Sequence, residues 1–518
     1  MSPGVSSLSM RAKNRYNGEN IMEAAMEDQH LLPVGEAAPR TRTLTIGTRT
    51  FLVSVAILLA LMIGAGLLTV FVPAGSYDRI EADGRTTILP DSFHLSEAKA
   101  YPVWRWFTAP VEVLGADGST TIIAIILFLL VIGGSIAVLD RSGVLNAILG
   151  AMVRRFEKAK YTLMGVLVLA FMTMGAVIGM FEETVALIPL FIALACRLGW
   201  DSLTGLGLVL LSTGFGFSAA VTNPFTIGIA QGIAGLPTFS GFGYRLVVFA
   251  VFYAALFLFL RRYAKRIEAD PTRSPVYALD RANQLPATHP DAAFQDTPRL
   301  RRAVRWFTGC MLGMFVLLLA GTVLPAISDL SLPLVGLAFL LGGLGAGLWS
   351  GMGARGTVSV FGKGSLGLAP AILLILMASS VKHIITTAGI LDTLLHGMAN
   401  LLTGVPPFVA VVLVYLLVLL MELFIGSGSA KAFLVMPIVV PLADLLGIHR
   451  QVMVLAYQFG DGFSNLFYPT NPVLLIGLGL TVVSYPAWIR WVAKLQGVVF
   501  LLTLALLEIA LLTGYGPF

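Results

Sequence analysis

The sequence predicts an all-α polytopic membrane protein with two inverted-topology repeats, each holding a re-entrant hairpin and a broken transmembrane helix, plus scaffold helices. Of the 518 residues, 57% are hydrophobic and only 12% are charged, about half the charged fraction of a typical soluble domain. The triplet Thr-Asn-Pro also occurs twice inside apolar segments, at 222–224 and 470–472. Because proline ends or kinks a helix, each triplet predicts a break within the membrane.

The amino-terminal region sets the predicted orientation. Residues 1–45 are polar and mixed in charge, which predicts a disordered cytoplasmic tail. The first apolar segment begins about fifty residues into the chain and is too long for a signal peptide, so residues 51–119 are read as a first transmembrane helix and an outer loop. Basic residues collect on the cytoplasmic side of membrane helices, and here they precede the first helix: Arg40, Arg42 and Arg49. We expect a multi-pass protein of the cytoplasmic (inner) membrane with a cytoplasmic amino terminus.

The remaining apolar segments, each about 17–25 residues or interrupted near the middle, predict the order of the domains. Inverted repeat one covers 120–262, with a hairpin at about 165–198 and a broken helix at 202–235. A basic cytoplasmic loop at 263–305 and scaffold helices at 306–350 follow. Inverted repeat two covers 366–484, with a hairpin at about 406–446 and a broken helix at 449–484, and a last transmembrane helix lies at 495–513. A short loop at 351–365 is expected on the cytoplasmic side.

The repeat is visible when the sequence is compared with itself. A shift of 248 residues aligns 189–224 with 437–472 without a gap and superimposes the two Thr-Asn-Pro triplets. Segment 141–160 carries five lysines and arginines, whereas its counterpart 387–402 carries none. The positive-inside rule therefore places these segments on opposite faces, which predicts inverted repeats. Inverted repeats with broken helices are typical of secondary transporters.

The two breaks predict a binding site near the centre of the membrane. A backbone group without a partner costs several kcal/mol in hydrocarbon, so broken backbone is expected only where it faces protein or a water-filled cavity. The half-helices after the breaks direct their amino termini at that site, which favours an anion. The candidate substrate-binding residues at the breaks are Thr222, Asn223, Pro224, Thr470, Asn471 and Pro472.

The hairpin tips supply the second group of candidates, which are Glu182, Glu183 and Thr184 in the first tip and Ser427, Gly428, Ser429 and Lys431 in the second. A charge at this depth costs about 2.5–3.5 kcal/mol on insertion scales, so such charges are usually functional. Three roles stay open. Glu183 and Lys431 pair with each other; or Lys431 binds a substrate carboxylate while Glu182 or Glu183 binds a cation, proton or ammonium; or Lys431 stands where a coupling cation would sit.

The same residue types supply candidates for binding a coupling ion. The candidate coupling-ion residues are Glu183, Asn223, Asp461 and Asn471, and the ion is H⁺ or Na⁺. Glu422 precedes the second tip and is expected to line the cavity. The scattered histidines and cysteines form no metal-ligand or catalytic pattern. We therefore expect no enzyme activity, no metal, no resident cofactor and no nucleic-acid partner.

Several motifs together resemble one transporter family. The chain is similar to the YfcC-type carriers, grouped with the DcuC-like C4-dicarboxylate carriers and the basic amino acid antiporters in the ion transporter superfamily. The resemblance covers about 50–515 and rests on VPAGSYDR (72–79), GMFEETVALIP (179–189), TNPFTIGIAQGIAGLP (222–237), GSGSAKA (426–432), PLADLLGIHRQ (441–451), YQFGDGF (457–463) and PTNP (469–472).

The resemblance implies an inverted-repeat fold with a scaffold and a mobile transport domain, usually a homodimer, that works by an elevator-like movement. It also implies that substrate and cations bind between the hairpin tips and the breaks. Sodium-coupled members often carry Ser-Asn-Thr at the tips, whereas these tips carry Glu-Glu-Thr and Ser-Ala-Lys. That departure puts sodium coupling in doubt.

These observations predict a secondary active transporter, antiporter or symporter, of a small carboxylate-bearing metabolite. The combination of glutamates with Lys431 favours an amino acid, which carries both an amino and a carboxylate group. The alternative is a C4-dicarboxylate exchanger or symporter. A channel would not need two hairpins with opposite charges at their tips, and an intramembrane aspartyl protease would need a Gly-x-Gly-Asp motif that QFGDG lacks.

Overall fold

The computed structural model describes residues 48–82, 85–96, 101–116, 118–283, 297–321, 330–402 and 404–516. The predicted tail at 1–45 lies outside the described residues, as does part of the loop at 263–305. The fold is all-α and polytopic, as predicted: the described part of the chain contains nine helices long and apolar enough to cross a bilayer.

The first helix, α1, spans Thr48–Phe71 and ends just before Pro73. The following loop is more structured than the sequence predicted. It contains four short strands and a short helix, which are β1 Gly75–Ser76, β2 Arg79–Ala82, β3 Arg85–Ile88, β4 His94–Leu95 and α2 Val103–Glu112. The strands form two small antiparallel sheets, in which β1 pairs with β4 and β2 pairs with β3. An ion pair of 2.8 Å between Arg79 Nη2 and Asp392 Oδ2 fastens this loop to the second unit.

The first unit consists of two helices, a hairpin, a broken helix and a long closing helix. Its helices are α3 Ser119–Arg141, α4 Val144–Phe156, α5 Lys160–Thr173, α6 Ile188–Arg197, α7 Ser202–Leu206, α8 Ser212–Ala219, α9 Ile229–Ile233 and α10 Phe242–Ala269. π-Helical turns extend them at Met174–Ile178, Gly207–Leu211 and Pro224–Gly228, and a 3₁₀ turn, Glu182–Leu187, precedes α6. π-Turns of this kind are frequent at functional sites.

Four helices lie between the two units, the first of them within the connecting loop. They are α11 Tyr277–Asn283, α12 Pro298–Gly321, α13 Ser331–Ser350 and α14 Gly353–Gly367. The sequence predicted a loop where α14 lies, because Gly, Ser and Lys make this segment polar. In the structure α14 packs antiparallel to α3: Ser365 Oγ donates to Leu130 O at 2.8 Å, whereas Thr357 lies beside Val138.

The second unit repeats the element order of the first. Its helices are α15 Ala369–Thr387, α16 Leu391–Leu401, α17 Pro407–Met421, α18 Gly428–Leu445, α19 Arg450–Ser464, α20 Pro472–Gly479 and α21 Tyr485–Leu512. The last helix begins ten residues before its predicted start, where Ser484 Oγ caps the Ala487 N–H at 3.2 Å. The shared order agrees with an internal repeat, and the opposite orientation of the two units stays a prediction.

The broken helices of the two units pack directly against each other and against the first hairpin. A Cβ on Gly462 of α19 would lie 2.4 Å from the Cα of Ser218 in α8, and Gln458 Nε2 donates to Phe217 O at 2.9 Å. A Cβ on Gly216 would lie 1.9 Å from Met172 O, so only glycine permits this approach of α8 to α5. These contacts bring the two breaks close to the two hairpin tips.

Candidate functional site

A cavity of about 980 Å³ lies between the hairpin tips and the breaks. The first tip is defined as residues 179–187, the second tip as 422–429, the first break as 220–223 and the second break as 465–471. Both tips and the second break contribute lining residues, as do the starts of the half-helices after both breaks. The rest of the wall comes from α15, from α3 and the loop before it, and from single residues of α8, α12 and α13. Four segments that lie far apart in the sequence therefore converge on one cavity.

Several backbone groups at the first break, where Pro224 and the chain reversal interrupt the helix, have hydrogen-bond partners. The helix α8 ends at Ala220, which has a left-handed φ of 39°. Thr222 N–H then donates to Ala176 O at 3.0 Å, and Val221 O accepts from Arg245 Nε at 3.1 Å. Asn223 Oδ1 accepts from Phe225 N–H at 2.9 Å and caps the first half-helix. These bonds let an interrupted helix persist in an apolar environment.

Arg245 is a fully buried guanidinium that the sequence analysis did not single out. Besides Val221 O it donates to Ser240 O at 2.8 Å, Phe239 O at 3.1 Å and the Tyr515 hydroxyl at 2.9 Å. It forms no ion pair with a described carboxylate, so oxygen dipoles alone compensate its charge. Its place at the start of a long apolar helix is the only signal in the sequence, and such a place usually marks a snorkelling arginine.

The second break is built in the same way with different residues. Asn471 Oδ1 accepts from Val473 N–H at 2.9 Å and from Leu474 N–H at 3.2 Å. The carbonyls released before the break accept from the closing helix α21: Leu466 O from Trp488 Nε1 and Phe467 O from the Tyr485 hydroxyl, each at 2.9 Å. In both units the closing helix, α10 or α21, therefore supplies side chains that donate to backbone carbonyls at the break.

The first tip turns sharply at Gly179, whose φ is +80°. A Cβ there would lie 2.5 Å from Asn223 Oδ1, so this glycine lets the tip contact the first break. Glu183 is buried, accepts from Phe181 N–H at 3.1 Å and also accepts a hydrogen bond from the Ser331 hydroxyl of α13. Glu182 instead lines the cavity, is exposed to it, and forms no ion pair with a described residue.

Behind the second tip, three charged side chains form a buried triad, which we define as Glu422, Lys431 and Asp461. Lys431 Nζ donates to Asp461 Oδ1 at 2.8 Å and also donates to Glu422 Oε2. All three side chains are at most 1% exposed. The interpretation that Glu183 pairs with Lys431 does not describe this structure, because each has other partners. The sequence suggested a lining role for Glu422 but not its bond to Lys431.

The second tip also connects the two units. Gly428 O accepts from the Tyr457 hydroxyl. A Cβ on Gly428 would lie 2.8 Å from both Asp461 Oδ2 and Thr226 Cγ2. Ser427 caps α18 through a 3.4 Å bond from Ala430 N–H to its Oγ. A bulkier residue at position 428 would separate the first half-helix from the triad.

The predicted substrate-binding residues divide into two groups in the structure. Those that line the cavity are Glu182, Glu183, Pro224, Ser427, Gly428, Ser429, Thr470, Asn471 and Pro472. Those outside its lining are Thr184, Thr222, Asn223 and Lys431, which support the tips and breaks from behind, as does the coupling-ion candidate Asp461. Lys382, which the sequence analysis did not single out, also lines the cavity and forms no ion pair with a described residue.

Several buried polar atoms near the cavity have no hydrogen-bond partner among the described residues. They are Asn223 Nδ2, Thr226 Oγ1, Glu422 Oε1, Asp461 Oδ2 and Thr470 Oγ1. Because an unpaired buried polar group costs about 1–3 kcal/mol, each of these atoms is available to a water molecule, an ion or a ligand group. The described residues hold no group of three or more His, Cys, Asp or Glu side chains arranged for a metal ion.

The chain is similar to several known proteins. A family model, described as the C4-dicarboxylate anaerobic carrier DcuC, matches residues 51–512. A protein of Escherichia coli K12 described as "Putative basic amino acid antiporter YfcC" is 31% identical over 93% of this chain and 99% of its own. An uncharacterized protein of Haemophilus influenzae is 26% identical over 76% of each chain.

Two solved transporter structures are also similar to this chain. The YdaH transporter of Alcanivorax borkumensis has a TM-score of 0.39 and 19% identity, over 90% of this chain and 100% of its own. MtrF of Neisseria gonorrhoeae, titled as one of a class of antimetabolite efflux pumps, has a TM-score of 0.40 and 18% identity, over 89% of this chain and 95% of its own.

Proposed function

Because this chain belongs to the DcuC family of membrane carriers, we propose that it is a secondary active transporter of an amino acid, and that the cavity between the tips and the breaks is its substrate site. The substrate class, the transport cycle and the assembly are parts of this proposal. The family resemblance in the motifs and the 31% identity to the YfcC relative both agree with a carrier of small carboxylate-bearing metabolites.

The single observation that carries the substrate proposal is that the cavity presents free charges of both signs. Glu182 and Lys382 both line it, and neither forms an ion pair with a described residue. A zwitterion offers an ammonium group to Glu182 and a carboxylate to Lys382. The half-helix amino termini at Pro224 and Pro472 add further stabilisation for a carboxylate.

The balance of charge favours an amino acid with a cationic side chain. The cavity lining and the triad together contain four carboxylates, Glu182, Glu183, Glu422 and Asp461, against two ammonium groups, those of Lys382 and Lys431. A substrate with net positive charge is attracted by such a surplus. The printed name of the YfcC relative, a basic amino acid antiporter, points the same way.

A C4-dicarboxylate is the second candidate, and the description of the matching family favours it. Three helix amino termini, those at Pro224, Gly428 and Pro472, border the cavity and suit anions. Glu182 opposes this candidate, because its carboxylate would repel a second carboxylate of the substrate. The two candidates therefore predict opposite effects of neutralising Glu182.

For the transport cycle we propose an elevator-type movement of the tips and broken helices against the scaffold helices. The bond between Glu183 in the first tip and Ser331 in α13 is a contact that such a movement would break. We further propose a homodimer in the inner membrane with a cytoplasmic amino terminus. Cross-linking in native membranes tests the dimer, and a single band of monomer mass would contradict it.

A substrate screen tests the function. Purified protein is heated with single amino acids and with fumarate or succinate, and the shift of the unfolding temperature is measured for wild type and for Glu182→Gln. Arginine, lysine or ornithine is expected to stabilise wild type and to lose this effect in the variant. Stabilisation by a dicarboxylate, strengthened by Glu182→Gln, would replace the amino acid proposal with the second candidate.

A further inference from the structure

The triad has an unbalanced charge. Lys431 Nζ lies 2.8 Å from Asp461 Oδ1 and also bonds Glu422 Oε2, so one ammonium group faces two carboxylates. With every group ionised the triad carries one net negative charge. Glu422 and Lys431 are 2% and 0% exposed as residues, and Asp461 is also 0% exposed, so solvent does not screen this charge. An uncompensated buried charge is strongly unfavourable in a protein interior.

The surroundings of the triad do not supply the missing positive charge. Among the described residues, the other titratable side chains that face the triad are Tyr457 and Tyr468. The Tyr457 hydroxyl donates a hydrogen bond to Gly428 O. The first half-helix faces the triad with Thr226, which does not titrate. Two neutral amides also face the triad: Asn465 Nδ2 bonds the backbone oxygen of Asp461 at 2.8 Å, and Asn471, beside Glu422, donates its Nδ2 hydrogen bond to Asn465 Oδ1.

One oxygen of each carboxylate is left without a donor among the described residues. These atoms are Glu422 Oε1 and Asp461 Oδ2, both buried. A single proton bound to either atom would neutralise the triad. Lys431 Nζ already occupies the position between the carboxylates where a metal cation would bridge them, so the structure favours a proton over sodium.

The triad is also placed to respond to the cavity. Glu422 lines the cavity. Asp461 Oδ2 lies against Gly428 of the second hairpin, and the neighbours of Gly428, Ser427 and Ser429, also line the cavity. Movement of this tip when substrate binds or leaves would change the access of water to both free oxygens. Gain and loss of the proton would then be linked to the substrate.

We propose that Glu422 and Asp461, bridged by Lys431, hold one exchangeable proton, and that this proton is the ion coupled to transport. The inference rests on the proposed function, since coupling needs a transported substrate. Lys431 is a positioning residue in this scheme: its fixed positive charge limits the site to one proton where two adjacent carboxylates would otherwise bind more.

Proteoliposomes containing wild type, Glu422→Gln or Asp461→Asn test the proposal with radiolabelled arginine. Counterflow, which needs no coupling ion, is measured beside uptake driven by a pH gradient and by a sodium gradient. Wild type is expected to respond several-fold to the pH gradient and not to sodium. Each variant mimics the protonated triad, so its uptake, expressed relative to its own counterflow, should lose the response to the pH gradient. Glu508→Gln, a half-buried carboxyl in α21 outside the site, is the matched control and should respond like wild type.

Potentiometric titration of the solubilised protein supplies a readout that needs no substrate. Between mildly alkaline and mildly acidic pH, wild type is expected to bind one proton more than Glu422→Gln, with size-exclusion chromatography confirming that the variant is folded. A wild type driven by sodium, a variant that keeps its response to the pH gradient, or equal proton uptake by both proteins would overturn the inference. Absence of counterflow with any amino acid would instead contradict the proposed function, and the titration would still decide whether the proton site exists.

Discussion

Asn223 and Asn471 perform the same structural role in the two units. Asn223 Oδ1 accepts from Phe225 N–H, Asn471 Oδ1 accepts from Val473 N–H, and both distances are 2.9 Å. In each case the asparagine precedes the proline that begins a half-helix at the cavity. The matched triplets in the sequence therefore correspond to matched helix caps, which hold open the two breaks.

Alanine at either asparagine is expected to impair transport. Loss of a helix cap typically costs about 0.5–2 kcal/mol, and here it also releases a half-helix that borders the cavity. Uptake and unfolding temperature should both fall in Asn223→Ala and in Asn471→Ala. Serine retains a capping oxygen, so Asn223→Ser and Asn471→Ser should recover part of both losses. Impairment in only one unit would argue against equivalent roles.

Removal of Lys431 is expected to abolish transport and to destabilise the protein. Breaking a buried ion pair typically costs about 3–5 kcal/mol, because the remaining charge stays buried without a partner. Lys431→Met leaves two such carboxylates, so uptake in proteoliposomes and the unfolding temperature should both drop. Adding Glu422→Gln and Asp461→Asn should restore most of the stability without restoring coupled uptake. Normal uptake by Lys431→Met would show that the triad is dispensable.

The buried carboxyl of Asp280 makes part of the stability depend on pH. It accepts from Ser202 N–H at 2.9 Å, but burial raises its pKa from 3.8 to about 6. The folded protein thus binds this proton more tightly than the unfolded chain does. The stabilisation that the proton on Asp280 gives the folded protein is fully present below pH 3.8 and is lost as pH rises through about 6.

The unfolding temperature of wild type relative to Asp280→Asn should therefore decrease as pH rises through about 6. The exposed Asp270 serves as the control, because hydrogen bonding to Thr272 lowers its pKa below the normal value of 3.8. Asp270→Asn should show no such decrease in this range. If the difference in unfolding temperature between wild type and Asp280→Asn stayed constant with pH, Asp280 would not titrate in this pH range.

Cysteine labelling tests the inverted orientation of the units. Arg155 near the end of α4 and Leu401 at the end of α16 are both exposed, whereas the neighbouring Leu402 is buried. After replacement of Cys196 and Cys310, Arg155→Cys should react with an impermeant maleimide only from the cytoplasm and Leu401→Cys only from outside. Labelling of both from one side would overturn the inversion.

The sequence predicted the elements whose signals are local. The apolar segments gave the helices, and the repeated Thr-Asn-Pro triplets marked both breaks at Asn223 and Asn471. Local signals failed where composition misled. The Gly, Ser and Lys content of α14 predicted a loop, but this segment is a helix. It packs closely on α3, and Gly133 of α3 and Gly364 of α14 allow this contact.

The partners of charged side chains were the least predictable part of the site. Lys431 lies nine residues from Glu422 and 30 from Asp461, and the contact between them exists only after the hairpin packs on the broken helix. Arg245 likewise bonds the first break across 24 residues. Single-sequence patterns report spacing within an element, and they carry no information on which elements meet.

Arginine counterflow in proteoliposomes tests the central claim most directly, since the claim is that the cavity between the tips and breaks carries an amino acid. Vesicles with wild-type protein and loaded with unlabelled arginine should accumulate labelled arginine, and Glu182→Gln should reduce this accumulation strongly while Glu508→Gln leaves it unchanged. Failure of wild type to accumulate arginine, lysine or ornithine, or equal accumulation by Glu182→Gln, would contradict the account.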